Sequence, residues 1–258
     1  MLLNGCGLFG GDAPPPGQPG QVTGFLGGVV ADEPRAALIG REILSGGGTA
    51  ADAAVATGFA LAVTMPSRAG LGAGGACVAY DPSSDGPNGG APEAVLFTPV
   101  DGGGGGDRPA SVPMLARGLF ALHARYGHLP FELLVKQAAD LAGAGFRVSR
   151  ALSRDLQVVA GPLMGDPNAA AIFAPGGKIA TEGQLITEAD LGTTLNRLRT
   201  SGVGDFYTGG LAQQIQQLTA QAGGGVTLPA MRDAVPRLTP PVTIPFGADR
   251  ASFVPPPA

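Results

Sequence analysis

Apolar residues recur at helical spacing along much of this chain, and shorter apolar runs interrupt them. Ala36, Leu38, Ile39, Ile43 and Leu44 predict a helix with Pro34 in its first turn, ended by Gly46-Gly47-Gly48. Thr49 with Asp52 three residues on has the form of a capping box. The helix it opens runs to about Val63, is apolar on nearly every face, and is therefore expected to be buried. Pro66 forces the chain out of it. Leu115, Leu119, Leu122 and Tyr126 predict a helix over 114–126, and further helices are expected over 130–142, 149–159 and 209–221. Thr187-Glu188-Ala189-Asp190 reads as the cap of a helix carrying Leu191, Leu195 and Leu198. Short strands are expected over 25–31, 76–80, 94–97, 242–246 and 251–254, with a hairpin-type loop over 82–92. Helices dominate, and the strand order does not make a βαβ series. The pattern predicts part of an α/β or α+β fold whose strands find some of their partners elsewhere.

Composition narrows this. The 258 residues are 44% hydrophobic and 14% charged, with no Trp, so small aliphatic side chains must fill the core. Glycine and proline make up about a quarter of the chain and concentrate in 10–28, 82–109 and 236–258. The Gly102–Gly106 run cannot hold a structure by itself. Net charge is −4 and no Lys/Arg cluster exists, so a nucleic-acid partner has no electrostatic footing. No apolar run reaches the ~18 residues of a membrane helix.

Two cysteines, Cys6 and Cys77, cannot build a disulfide framework or a metal cluster, and no metal site is expected. Cys77 reads as a small core residue on a strand. Leu3-Asn4-Gly5-Cys6 looks like the end of a bacterial lipoprotein signal, which makes Cys6 a candidate lipid-attachment site and residues 1–24 a leader and flexible linker. The alternative is an ordinary disordered N-terminus. The lipid reading carries an expected location in the bacterial cell envelope, periplasmic or lipid-anchored. His123 and His128 read as surface or turn residues with no matching acid. Gly70-Leu71-Gly72-Ala73-Gly74-Gly75 suggests a phosphate loop when taken alone, but it lies between a helix and a following strand, the reverse of a nucleotide site. Close backbone packing is the favoured reading.

Three segments carry a family resemblance: Gly28-Val29-Val30-Ala31-Asp32-Glu33-Pro34-Arg35-Ala36-Ala37, Gly46-Gly47-Gly48-Thr49-Ala50-Ala51-Asp52-Ala53-Ala54-Val55-Ala56, and Met65-Pro66-Ser67-Arg68-Ala69-Gly70-Leu71-Gly72-Ala73-Gly74-Gly75-Ala76. Together they resemble the N-terminal signature of the gamma-glutamyltransferase (glutathione hydrolase) family. The pattern returns in order at Ser111-Val112-Pro113, Gly118-Leu119, Tyr126-Gly127-His128-Leu129-Pro130, Gly145-Phe146-Arg147-Val148-Ser149, Asp190-Leu191-Gly192-Thr193-Thr194-Leu195, Gly204-Asp205-Phe206-Tyr207-Thr208-Gly209 and Pro255-Pro256-Pro257. It covers nearly everything over 25–258, taken as one domain.

The resemblance implies an α+β fold, the helix-rich large-subunit part of a four-layer αββα sandwich of the N-terminal nucleophile hydrolases. It implies a precursor that cuts itself before a Thr, whose hydroxyl attacks a γ-glutamyl amide with its own α-amino group as base, while backbone amides hold the oxyanion. The substrate is expected to be glutathione or a related γ-glutamyl compound. No cofactor is implied. The junction in the family lies beyond the triple-proline segment, so no catalytic residue is expected within these residues. The nucleophile belongs to a small subunit, the expected partner in a heterodimer. Thr193-Thr194 is a decoy at a helical position. The family's carboxylate-binding Arg has its counterpart near Thr98, where Thr98 or Pro99 takes its place, and neither can clamp a carboxylate as a guanidinium does. Arg108 in the glycine loop is the candidate substitute. A related acylase specificity fits as well, and the alternative to an enzyme is a non-catalytic, envelope-anchored scaffold or binding protein that retains the fold.

Overall fold

The computed structural model describes residues 27–256. Cys6, the linker over 1–24 and Phe25 lie outside the described residues. α1 (Pro34–Ser45) starts with Pro34 at its first position, and its N-cap Glu33 accepts from the Ala36 amide. α2 (Ala50–Thr64) carries the expected capping box: the Thr49 hydroxyl accepts from the Asp52 amide at 3.1 Å, and the Asp52 carboxylate accepts from the Thr49 amide at 2.9 Å. Val55, Ala56, Phe59, Ala60 and Val63 are all within 1% of complete burial, as a helix apolar all round requires. Pro66 ends α2 and also starts the one-turn α3 (Pro66–Ala69).

β1 (Gly75–Ala79) and β2 (Glu93–Phe97) pair antiparallel, with Gly75 opposite Phe97. β3 (Val100–Asp101) and β4 (Ser111–Val112) form a short ladder under the glycine run. Next come α4 (Leu115–Tyr126), α5 (Phe131–Ala144), β5 (Phe146–Arg147), α6 (Arg150–Val158), α7 (Ala160–Gly165), α8 (Pro167–Phe173) and β6 (Leu185–Ile186), which pairs with β5. α9 (Ala189–Ser201), α10 (Val203–Thr208), α11 (Gly210–Gln221), α12 (Leu228–Asp233), β7 (Arg237–Thr239), β8 (Val242–Phe246) and β9 (Asp249–Phe253) complete the described chain. β7 joins the far side of β2, giving the order β1-β2-β7. α1, α4 and α5 pack on α2, and α9 lies along α5. The helix-rich α+β class holds, and every ladder between named strands is antiparallel.

Three expectations change. Residues 27–31 form no strand, and Val30 is 98% exposed, because no described strand lies beside them to satisfy their amides and carbonyls. Thr187 does not cap α9: Glu188 takes the N-cap position and its side chain makes no capping bond. The last strand begins two residues earlier than expected, since Gly247, at φ +63°, permits a two-residue turn that pairs Phe246 with Asp249.

The glycine run after β3 is held by a second run far along the chain. Gly102 O accepts from the Thr227 amide at 2.8 Å, and the Arg108 amide donates to Gly223 O at 3.0 Å. A Cβ on Gly104 would stand 2.5 Å from Gly225 Cα, so two backbones meet there with no room for a side chain.

Candidate functional site

Every residue of β2 is buried, and the strand delivers Thr98, half-buried, at its end. The glycine-rich turn before β1 packs on this corner. A Cβ on Gly74 would come within 2.7 Å of Pro99 Cδ and 2.9 Å of Pro99 N, and one on Gly75 within 2.9 Å of the Phe97 ring. Ala73 O accepts from the amides of Met114 and Leu115, both at 2.9 Å, so the turn caps α4. The run thus contributes a carbonyl to the start of a helix and close backbone contacts to the Thr98 corner.

Two arginines near these elements are committed elsewhere. Arg117, in the first turn of α4, donates to Met231 O at 3.0 Å, to Arg232 O at 3.2 Å and to Ala234 O. Its guanidinium sits 3.8 Å from the centroid of the Tyr207 ring. The Tyr207 hydroxyl donates to Pro113 O at 2.7 Å, and burial pushes its pKa up to about 12. Arg117 thus closes the C-terminal end of α12, as a cation there should. Arg68 grips Asp155 through Nε at 2.9 Å and Nη2 at 3.1 Å, and reaches Asp32 through Nη1 at 3.2 Å. Arg108 lies exposed on the loop joining β3 to β4, held there by its amide. At Thr98 itself the chain offers a hydroxyl, which can donate one hydrogen bond to a carboxylate and brings no charge.

Cys77 lies in the middle of β1. It lines a cavity of about 420 Å³ between β1, the start of α2 and the end of α4, shared with Thr49, Tyr80, Leu122 and Tyr126. Burial pushes its thiol pKa up, which makes it a poor nucleophile. This cavity reaches Pro82, past the end of β1 opposite the Thr98 corner. Thr193 and Thr194 donate their hydroxyls to Ala189 O and Asp190 O one turn back on α9, at 3.1 and 2.9 Å. Among the described residues no group of three or more His, Cys, Asp or Glu is arranged to hold a metal, and no helix is long and apolar enough to cross a membrane.

The histidines differ from expectation in one respect. His128 is exposed. His123 is not a surface residue: its side chain is 16% exposed, and Nε2 lies 2.7 Å from Leu129 O and 3.8 Å from Asp52 Oδ1. A carbonyl only accepts, so Nε2 carries the proton. The sequence marks Asp52 as a local cap and nothing more. In the fold it also accepts from the amides of His128, at 3.0 Å, and Leu129, at 3.2 Å, tying the turn after α4 to the start of α2. Glu188 is a second buried carboxylate, which the sequence places only within a helix cap. It is 8% exposed, its Oε1 has no partner, and burial pushes its pKa up to about 7.

The family model described as Gamma-glutamyltranspeptidase matches residues 36–258. Glutathione hydrolase 2 of Arabidopsis thaliana is 27% identical over 246 residues, covering 92% of this chain and 42% of its own length. Acylase ACY 1 proenzyme of Pseudomonas sp. (strain SE83) is 31% identical over 223 residues, covering 78% of this chain and 40% of its own. The crystal structure of Helicobacter pylori gamma-glutamyltranspeptidase superposes with a TM-score of 0.82 at 26% identity, over 92% of this chain and 72% of that one. The chain spans about two fifths of the length of the curated relatives it matches.

Proposed function

This chain belongs to the gamma-glutamyltranspeptidase family, and from that premise we propose that it is the large-subunit portion of an N-terminal nucleophile enzyme that cleaves or transfers γ-glutamyl groups. The observation that carries the proposal is agreement in sequence and in fold, each over 92% of the chain. The nucleophilic Thr is supplied by a small subunit of the same precursor. This chain contributes the scaffold and the Thr98 corner. The surface of β8–β9 supports a partner of this kind. Val242, Ile244 and Phe246 alternate onto one face opposite Phe253 and Ala251, and Phe246 is 72% exposed.

The experiment is to purify the protein from its source under mild conditions, take intact masses of everything that co-purifies, and sequence the N-terminus of any second chain. A tightly held chain beginning with Thr is the expected result. A lone chain overturns the proposal and leaves the non-catalytic scaffold.

Thr98 supports a second reading within the same chemistry, an acyl donor not held by its carboxylate. The two are separated by Thr98→Arg. It is expected to lower KM for a chromogenic γ-glutamyl anilide by about tenfold or more, the worth of a charge-assisted bidentate pair. An unchanged KM would place carboxylate recognition away from Thr98. Lipid attachment at Cys6 and a place in the cell envelope remain part of the proposal on the strength of Leu3-Asn4-Gly5-Cys6, and the mass of the N-terminal peptide tests them.

A further inference from the structure

Glu188 has no place in the chemistry above, yet among the described residues it is the side chain that holds a buried polar atom without a hydrogen-bond partner. It stands where α5, the β5–β6 ladder and α9 converge. Its amide donates to Ala142 O at 2.9 Å and its carbonyl accepts from the Gly192 amide at 2.9 Å, so its backbone is fixed between two helices. The seam is tight: a Cβ on Gly192 would lie 3.1 Å from the Gly143 amide, and one on Gly145 would lie 2.8 Å from the Thr187 methyl. Into this seam the chain places a carboxyl group that is 8% exposed and whose Oε1 has no hydrogen-bond partner.

The charged groups on the surrounding elements are engaged with other partners or face solvent. On α5, Lys136 pairs with Asp140 at 2.6 Å, and Glu132 is exposed. On β5, Arg147 donates to Gly183 O at 2.9 Å. On α9, Asp190 is exposed, Arg197 pairs with Asp205 at 2.6 Å, and Arg199 donates to Asn196. None of these contacts reaches Glu188. An ion there would have neither a counter-charge nor a donor at Oε1, while a neutral carboxyl loses much less by burial.

We infer that Glu188 is a pH-responsive latch on the α5–α9 seam: neutral, it lets α9 stay docked on α5; ionised, it favours local opening of α9. The cause is burial alone, which raises the carboxyl from 4.5 to about 7. An opened seam returns it to water and to its ordinary value. With those two values, the opening equilibrium rises about tenfold between pH 6 and pH 8. The inference stands whatever reaction the protein performs.

Hydrogen exchange on the full chain at pH 6 and pH 8, corrected for the intrinsic pH dependence of exchange, tests it. Protection of peptides from α9 is expected to fall about tenfold, and at both pH values to lie well below that of α2, the mark of a local opening and not of global unfolding. Glu188→Gln, which keeps the shape and removes the charge, is expected to abolish the fall. Equal α9 protection at the two pH values overturns the latch, and so does a fall that persists in Glu188→Gln or an α9 protection no lower than that of α2, which would leave global unfolding as the only opening. The comparison within the wild-type chain decides the matter even if the variant folds poorly.

Discussion

Asp52 and Glu188 are both buried carboxylates at the start of long helices, at 0% and 8% exposure. Asp52 sits three residues into α2's cap and accepts from the amides of Thr49, His128 and Leu129, so burial is offset by hydrogen bonds to its charged form. Glu188 sits at the N-cap of α9, satisfies none of that helix's amides with its side chain, and leaves Oε1 orphaned. Position along a helix therefore does not decide what a buried acid does. What decides is whether backbone donors from a second segment converge on it. Around Asp52 the turn over 127–129 supplies them, and the acid becomes a clamp. Around Glu188 nothing does, and the acid becomes a liability at high pH.

The largest expected effect follows from breaking the clamp. Asp52→Ala leaves three backbone amides without their acceptor, two of them from a turn 76 and 77 residues away in the chain. A loss of ~4 kcal/mol in denaturant unfolding is expected. A loss below about 1 kcal/mol would mean that water replaces the carboxylate freely and that the corner is not the anchor described.

The opposite sign is expected at the other acid. The folded-state pKa of Glu188, about 7, lies above its ordinary 4.5, so the folded protein keeps a proton that the unfolded chain releases between those values. Stability then falls as pH rises from 4.5 to 7 and levels off above, a total of up to ~3 kcal/mol. Glu188→Gln should recover most of this at pH 8 and flatten the dependence through that window. Melts of the two proteins over a pH series check both statements. A variant less stable than wild type at pH 8 would mean that the carboxylate has a partner after all.

His123 sharpens the first half of the comparison. Its Nε2 bonds Leu129 O and stands 3.8 Å from Asp52, so it braces the same turn without being an acceptor for it. His123→Phe removes one hydrogen bond and keeps an aromatic ring against Phe131, whose centroid lies 5.4 Å from that of the imidazole. A loss of ~1 kcal/mol is expected, well below that of Asp52→Ala. If the two variants cost the same, the imidazole and not the amides holds Asp52.

How much of this was legible in the chain follows from how local each cause is. The cap of α2 was readable because Thr49 and Asp52 are three residues apart and need nothing else. The long helices were readable because their apolar stripes run for several turns. The clamp was not, since its amides arrive from the far end of α4. The glycine run over 102–106 reads in the sequence as unable to hold a structure by itself, and only the fold shows the run over 223–225 closing on it. α7, α8, α10 and α12 were missed because one or two turns leave too little periodicity to register. The strand expected over 25–31 has the composition of one, but a strand is made by its neighbour, and none of the described strands is beside it. At Thr98 the chain announced the missing guanidinium plainly, while the commitment of Arg68 and Arg117 to other partners needed three dimensions.

The smallest expected effect tests why Glu188 is displaced. Asp190 lies two residues on, exposed, in the first turn of α9, where a negative charge favours the helix dipole. Asp190→Asn should therefore cost about 0.5 kcal/mol or less. More telling is the pH profile. If burial alone raises Glu188, removing a neighbouring charge leaves the window between 4.5 and about 7 where it was. If repulsion from Asp190 contributes, the upper edge of the window moves down in the variant. The first outcome is expected, because an exposed carboxylate is screened by water while a buried carboxyl with an empty Oε1 has no such relief. The second would make the seam a pair of coupled acids, and Glu188 would then have to be compared with a two-proton site and not with the fully bonded Asp52.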